Sequence, residues 1–106
     1  VTAVSVKDMA GRYEYVNPRF CEMFGVSAET VLGRTDQQVF SSELAGQIRE
    51  RDLDAWRKDG LFESEDQLPL PDGPRRCLAI RFPLKDEDGV GYAICVKFAD
   101  RILAGD

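Results

Sequence analysis

The chain predicts an α+β domain in which helices lie across one face of an antiparallel sheet. Two observations carry that prediction. Short stretches of period-two alternation stand at the two ends of the sequence, and apolar residues at helical spacing fill the middle. Strands grouped at the ends with helices between them give a sheet backed by a helical layer. The 106 residues suit one domain, since domains cluster at about 100–150 residues. A composition of 43% hydrophobic and 31% charged residues belongs to a folded chain rather than a disordered one.

Thr2, Val4 and Val6 alternate with Ala3, Ser5 and Lys7, which predicts a strand. Asp8-Met9-Ala10-Gly11 supplies turn chemistry, and Arg12 to Val16 returns as the second strand of a hairpin. Asn17 then caps a helix with Pro18 at its first position, and Gly25 ends it. A second short helix runs from the cap Ser27 to Gly33. Ser41 or Ser42 opens the longest helix, to about Lys58, with Gly60 as its exit. On that helix Leu44, Ala45, Ile48, Ala55 and Trp56 share an arc of about 120°. Asp52 points into the middle of the arc. A carboxylate there has to be paired, hydrogen-bonded or open to a cavity, and Arg34 or Thr35 in the preceding loop is its expected partner.

Three strands follow: Leu61 to Leu70, interrupted by Pro69; Arg75 to Leu84; and Val90 to Ala99. Pro71-Asp72-Gly73-Pro74 and Asp86-Glu87-Asp88-Gly89 make the turns between them. Leu78, Ile80 and Phe82 fall on one face of the middle strand, with Cys77, Ala79 and Arg81 on the other. Pairing Phe82 with Ile94 keeps the apolar residues of the last two strands together and sets Arg81 opposite Cys95. It also leaves Cys77 too far along to bridge to Cys95.

Composition removes several chemistries. The chain has no His, so His-based triads, His–metal sites and His-ligated haem have no ligand here. Cys21, Cys77 and Cys95 are an odd set without CxxC spacing, against a zinc site or a disulfide framework, and read as reduced cytoplasmic thiols. A net charge of −5 without a Lys/Arg cluster argues against nucleic acid, and no apolar run approaches the roughly 20 residues of a membrane span. Glu63 and Glu65 alternate to the face opposite Asp66, so they do not converge on a metal. With no nucleophile–base pair and no facing carboxylates in evidence, the fragment is expected not to be an enzyme. The start at Val1, without signal or initiator Met, suggests a piece of a longer multidomain protein.

The order of several fragments resembles one family, the PAS sensory domain. Asp8-Met9-Ala10-Gly11-Arg12-Tyr13 is similar to its first hairpin turn, and Tyr15-Val16-Asn17-Pro18-Arg19-Phe20 to the strand running into its first helix. Phe24-Gly25-Val26-Ser27, Val31-Leu32-Gly33-Arg34-Thr35-Asp36, Leu70-Pro71-Asp72-Gly73 and Phe82-Pro83-Leu84-Lys85-Asp86 continue the likeness in the right order. The resemblance implies a five-stranded sheet of order 2-1-5-4-3 whose helices enclose a pocket. It implies a cytoplasmic, bacterial-type input module, often a homodimer, ahead of a histidine kinase or diguanylate cyclase output domain in the same chain. Asp100-Arg101-Ile102 stands where the family commonly has an Asp-x-Thr signal-transfer motif, which makes Asp100 the matching residue. Cys21, flanked by Phe20 and Glu22, does not match the photoactive flavin motif. Non-covalent flavin or another small organic ligand remains open, and the cofactor is unknown.

The expected ligand-facing set is Phe20, Phe24, Phe40, Ile48, Asp52, Trp56, Ile80, Phe82 and Ile94. A pocket is mostly apolar with a few polar groups, so the same residues also describe a plain core. In the alternative, a ligand-free interaction domain, the outer sheet face takes a partner. Ala79, Ala93 and Cys95 are then the small residues that permit close approach.

Overall fold

In the computed structural model, which describes residues 2–100, five strands form one antiparallel sheet of order β2-β1-β5-β4-β3. Chain order is β1 (Ala3–Asp8), β2 (Tyr13–Val16), α1 (Pro18–Phe24), α2 (Ala28–Val31), α3 (Asp36–Val39), α4 (Ser42–Lys58), β3 (Phe62–Leu70), β4 (Gly73–Lys85) and β5 (Gly91–Asp100). The α+β class is as the sequence predicts, and the strand order is the one the PAS resemblance implies.

The caps act as read. Asn17 Oδ1 accepts from Phe20 N and from Val4 N, both at 2.9 Å, so one side chain starts α1 and ties it to β1. Gly25 ends α1 at φ 67°, a conformation that costs a Cβ-bearing residue. Ser41 caps α4. Its left-handed exit residue is Asp59 at φ 56°, one position before the predicted Gly60. One element went unpredicted. Thr35 is the N-cap of helix α3, and its N–H donates to Gln38 Oε1 at 3.0 Å, the Thr-x-x-Gln half of a capping box.

The last hairpin departs from its predicted register by one residue. Lys85 pairs with Gly91 beside the turn, as predicted, but the next pair is Leu84 with Ala93. Tyr92 is therefore an extra residue, a bulge that offsets every later pair. Phe82 consequently lies opposite Cys95, not Ile94, and Arg81 lies opposite Val96, not Cys95. A one-residue slip exchanges faces. Cys77, Ala79 and Arg81 point to the helices with Ile94, Val96 and Phe98, while Leu78, Ile80 and Phe82 point outward. Cys77 and Cys95 thus stand on opposite faces of the sheet. A second bulge, at Glu14, turns Tyr13 inward and leaves Tyr15 outward opposite Val6.

The core lies between the inner sheet face and the helices. Phe20, Phe24, Val31, Leu44, Ile48, Ala55, Ile94, Val96 and Phe98 are buried there, with Phe40 and Trp56 half-buried against them. Trp56 takes up the space over Gly91, where a Cβ would come within 2.5 Å of its Cζ3. No helix among the described residues is long and apolar enough to cross a membrane.

Candidate functional site

At the centre of the inner face the apolar core is interrupted by charge. Lys7 on β1 and Arg81 on β4 flank the central strand β5, pairing with Ile94 and Val96 respectively. Two strand spacings separate β1 from β4, roughly 10 Å. Asp52, on the buried face of α4, drops between the two cations. Its Oδ1 accepts from Arg81 Nε at 2.8 Å and its Oδ2 accepts from Lys7 Nζ. The carboxylate therefore joins the helical layer to both sides of β5.

Asp36, the first residue of α3, completes the set. It accepts from Lys7 Nζ at 3.0 Å on Oδ2 and from the Tyr13 hydroxyl on Oδ1. All five side chains are buried; Lys7 and Arg81 are each 1% exposed and Asp52 2%. Two cations face two carboxylates, so the cluster is formally neutral. Burying four charges requires such closure, because a single unpaired ion in the interior carries a desolvation cost of several kcal/mol. The Tyr13 phenol is held well above its ordinary pKa, first by burial and then by the Asp36 charge beside it.

One polar atom is left over. Arg81 Nη1 is buried and has no hydrogen-bond partner among the described residues. Its guanidinium carbon lies 5.4 Å from the Phe98 ring centroid, within cation–π range. Phe98 meets Phe24 edge-on at 5.3 Å, and Phe24 meets Phe40 at 5.3 Å and Phe20 at 4.5 Å. Phe24 and Phe40 in turn border a surface cleft of about 240 Å³ with Val26, Val39, Leu44, Pro69 and Pro71. An aromatic path thus runs from the surface to the unpartnered guanidinium nitrogen.

The structure places Phe20, Phe24, Phe40, Ile48, Asp52 and Ile94 together on this inner side, with Trp56 at the far end of α4. Ile80 and Phe82 do not join them. The Tyr92 bulge sends both outward, where Lys97 Nζ stands 5.7 Å from the Phe82 ring. Of the expected interface residues, Ala79 faces inward, while Ala93 and Cys95 lie on the outer side; all three are buried, Ala93 at 0% and Cys95 at 7% exposure. Burial raises the Cys95 thiol pKa. Asp100 ends β5 opposite Cys77; Arg101 and Ile102 of the expected signal-transfer motif lie outside the described residues.

Asp52 does not pair with Arg34 or Thr35. Arg34 is exposed, and the partners are Lys7 and Arg81. Lys7, Tyr13, Asp36 and Arg81 went unmarked as site residues. The available signal was Asp52 itself: a carboxylate in an apolar arc calls for a buried cation, and Lys7 and Arg81 alternate with the small residues Ala3, Ser5, Cys77 and Ala79.

Comparison with known proteins agrees with the architecture. Over 92 residues the chain is 29% identical to the methanogenesis regulatory histidine kinase FilI of Methanothrix harundinacea, matching 87% of this chain and 10% of that protein. The structure of VqmA from Vibrio cholerae in complex with ligand and DNA superimposes with a TM-score of 0.80 at 23% identity, over 94% of this chain and 46% of that one. The PAS domain of Bordetella pertussis BvgS gives 0.79 at 24% identity, over 93% and 76%. The chain therefore spans a tenth of its curated relative and about half of the VqmA chain. The PAS fold is a non-catalytic sensory fold. The family profile of the PAS fold matches residues 2–101, nearly the whole sequence, and the chain belongs to that family.

Proposed function

We propose that this sensory module binds a small organic ligand in its core and passes the resulting change to an output domain following β5. The observation that carries the reading is the buried, unpartnered Arg81 Nη1 at the end of an aromatic path. A ligand with an apolar, ring-like body and one hydrogen-bond acceptor satisfies both features: aromatic faces for the body and a guanidinium donor for the acceptor. The mechanism is population shift. Such a ligand favours whichever helix–sheet arrangement presents Arg81 to it, by its difference in affinity between the two states. The likeness to sensor histidine kinases supports a kinase as the output, with diguanylate cyclase the other expected type.

Native mass spectrometry of the purified chain, set against its denatured mass, tests this. The expected result is an extra mass that disappears on denaturation, or a melting temperature that rises with the concentration of a small aromatic carbonyl compound. A ligand-free mass together with an unmoved melting temperature across such compounds overturns the reading.

The outer sheet face supports a second reading, association with another copy of the chain. The register puts Leu78, Ile80 and Phe82 there with Val4 and Val6, and Tyr15 beside them is 50% exposed. Under that reading Tyr15→Glu converts a dimer to monomer in sedimentation and leaves core ligand binding intact. A monomeric parent chain removes it. The DNA in the VqmA complex belongs to a chain of which this domain spans 46%; the acidic balance here supports a module that leaves nucleic acid to other domains.

A further inference from the structure

Asp36 also faces a second concavity, outside the core. A cleft of about 300 Å³ lies between the β1–β2 turn, the start of α3 and the outer side of α4, with Gly11, Thr35, Gln37, Ala45 and Arg49 in its wall. That volume is at the small end for ligand pockets. Arg49 Nη1 stands 3.4 Å from where a Cβ on Gly11 would be, so the guanidinium is set against the turn. Gly11, at φ 82°, leaves room for that approach.

Two more arginines adjoin residues of its wall along the chain. Arg12 follows Gly11 and Arg34 precedes Thr35, and the backbones meet through the Arg12–Thr35 bridge and the Tyr13 N–H to Arg34 carbonyl bond at 2.9 Å. Arg12, Arg34 and Arg49 are all exposed, and among the described residues none makes an ion pair or side-chain hydrogen bond. Arg19, Arg51, Arg57, Arg75, Arg76 and Arg81, by contrast, each meet a carboxylate. The acidic groups beside the cleft are already engaged. Asp36 holds Lys7 and Tyr13, and Asp8 Oδ1 accepts the turn N–H groups of Ala10 and Arg12 at 2.9 Å. In a chain of net charge −5, three arginines without counter-charges, Arg49 in the wall and Arg12 and Arg34 next to wall residues along the chain, favour a local positive field.

The geometry points to a second binding site in this cleft, for a small ligand bearing a carboxylate or a phosphate, gripped by Arg49 and steered by Arg12 and Arg34. Planar guanidinium forks match both oxyanions bidentately. The ligand would sit one side chain away from the buried cluster, across Asp36. The site stands whether or not the core binds a ligand of its own.

Titration of the isotope-labelled chain with sodium phosphate, and separately with sodium succinate, at constant ionic strength tests it by backbone amide shifts. Saturable shifts are expected at residues 10–12 and 35–37, weakened by at least about tenfold in Arg49→Ala, where the charge-assisted contact is lost. Arg57→Ala, on the same helix but paired with Asp54, leaves them unchanged. Saturation by phosphate alone assigns a phosphoryl ligand, by succinate alone a carboxylate, and by both an oxyanion without finer choice. Arg49→Gln repeats the comparison if the alanine variant melts early. Shifts that never saturate, or that persist undiminished without Arg49, overturn the proposal.

Discussion

Replacing Asp52 with Ala removes the one carboxylate that serves both buried cations. Arg81 loses its 2.8 Å partner and Lys7 is left with Asp36 alone. Both cations are 1% exposed, so water does not replace the lost oxygens. Breaking a buried pair from one side costs about 3–5 kcal/mol. A domain has about 5–15 kcal/mol in total. The loss therefore takes a large part of the stability and lowers the melting temperature by roughly 12 to 40 °C, at about 4–8 °C per kcal/mol for this size. Urea unfolding followed by far-UV circular dichroism measures it. The double variant Asp52→Leu/Arg81→Met removes one charge of each sign and leaves Lys7 on Asp36, so it is expected to be more stable than Asp52→Ala. A single-variant loss under about 1 kcal/mol, the scale of an exposed pair, would refute the account. So would a double variant weaker than the single, which would show that Arg81 was never left stranded.

Tyr13→Phe deletes the hydroxyl that donates to Asp36 and is expected to cost about 1.5–3 kcal/mol at neutral pH, as for hydrogen bonds to charged groups. The pH dependence has a definite sign. Because the folded phenol is held above its ordinary value, its contribution is full below about pH 10, where the unfolded tyrosine begins to ionise. It is then lost as pH rises toward the raised folded pKa; urea midpoints between neutral and alkaline pH should decline more steeply in the parent than in Tyr13→Phe. Asn17→Ala removes acceptors from Phe20 N and Val4 N and is expected to cost about 1–2 kcal/mol in the same assay. Gly91→Ala drives a methyl to within 2.5 Å of Trp56; a cost of about 1–3 kcal/mol from overpacking and a shifted Trp56 fluorescence maximum are expected.

The elements were legible where local chemistry decides them. Asn17, Ser27 and Ser41 start helices because their side chains take the free N–H groups, and that pattern is written in adjacent residues. Helix α3 is equally local: its signal is the Thr35-x-x-Gln38 pair, in which the Gln38 side chain takes the Thr35 N–H. The face of β4 was not local. Both of its residue sets are compatible with burial, one through Leu78, Ile80 and Phe82 and the other through Cys77 and Ala79, and the choice turned on a single bulge at Tyr92. Reading hydrophobicity alone chose the bulkier set for the core. The sheet in fact uses that set outside, and gives the inside to small residues that leave room for Arg81. Asp52 was legible as an anomaly, but its partners come from strands 45 positions before it and 29 positions after it, beyond the reach of helical geometry.

The position of the cluster relative to β5 bears on how the module would signal. Asp52 bridges the strands on either side of β5, and β5 runs to Asp100, the last described residue. The helical layer is therefore tied by charge contacts to both neighbours of β5, in addition to the apolar packing against β5 itself. Packed cores hold discrete arrangements rather than a continuum, and a buried cation displaced from Asp52 has to find another acceptor or carry its desolvation cost uncompensated. Moving an equilibrium from 1:99 to 99:1 takes about 5.5 kcal/mol of differential binding. Arg81 contact rearrangement lies on that scale, since one-sided loss of a buried pair is worth about 3–5 kcal/mol. A ligand acceptor on Nη1 that also draws the guanidinium from Asp52 would thus act on a contact whose energy is of the order that switching requires.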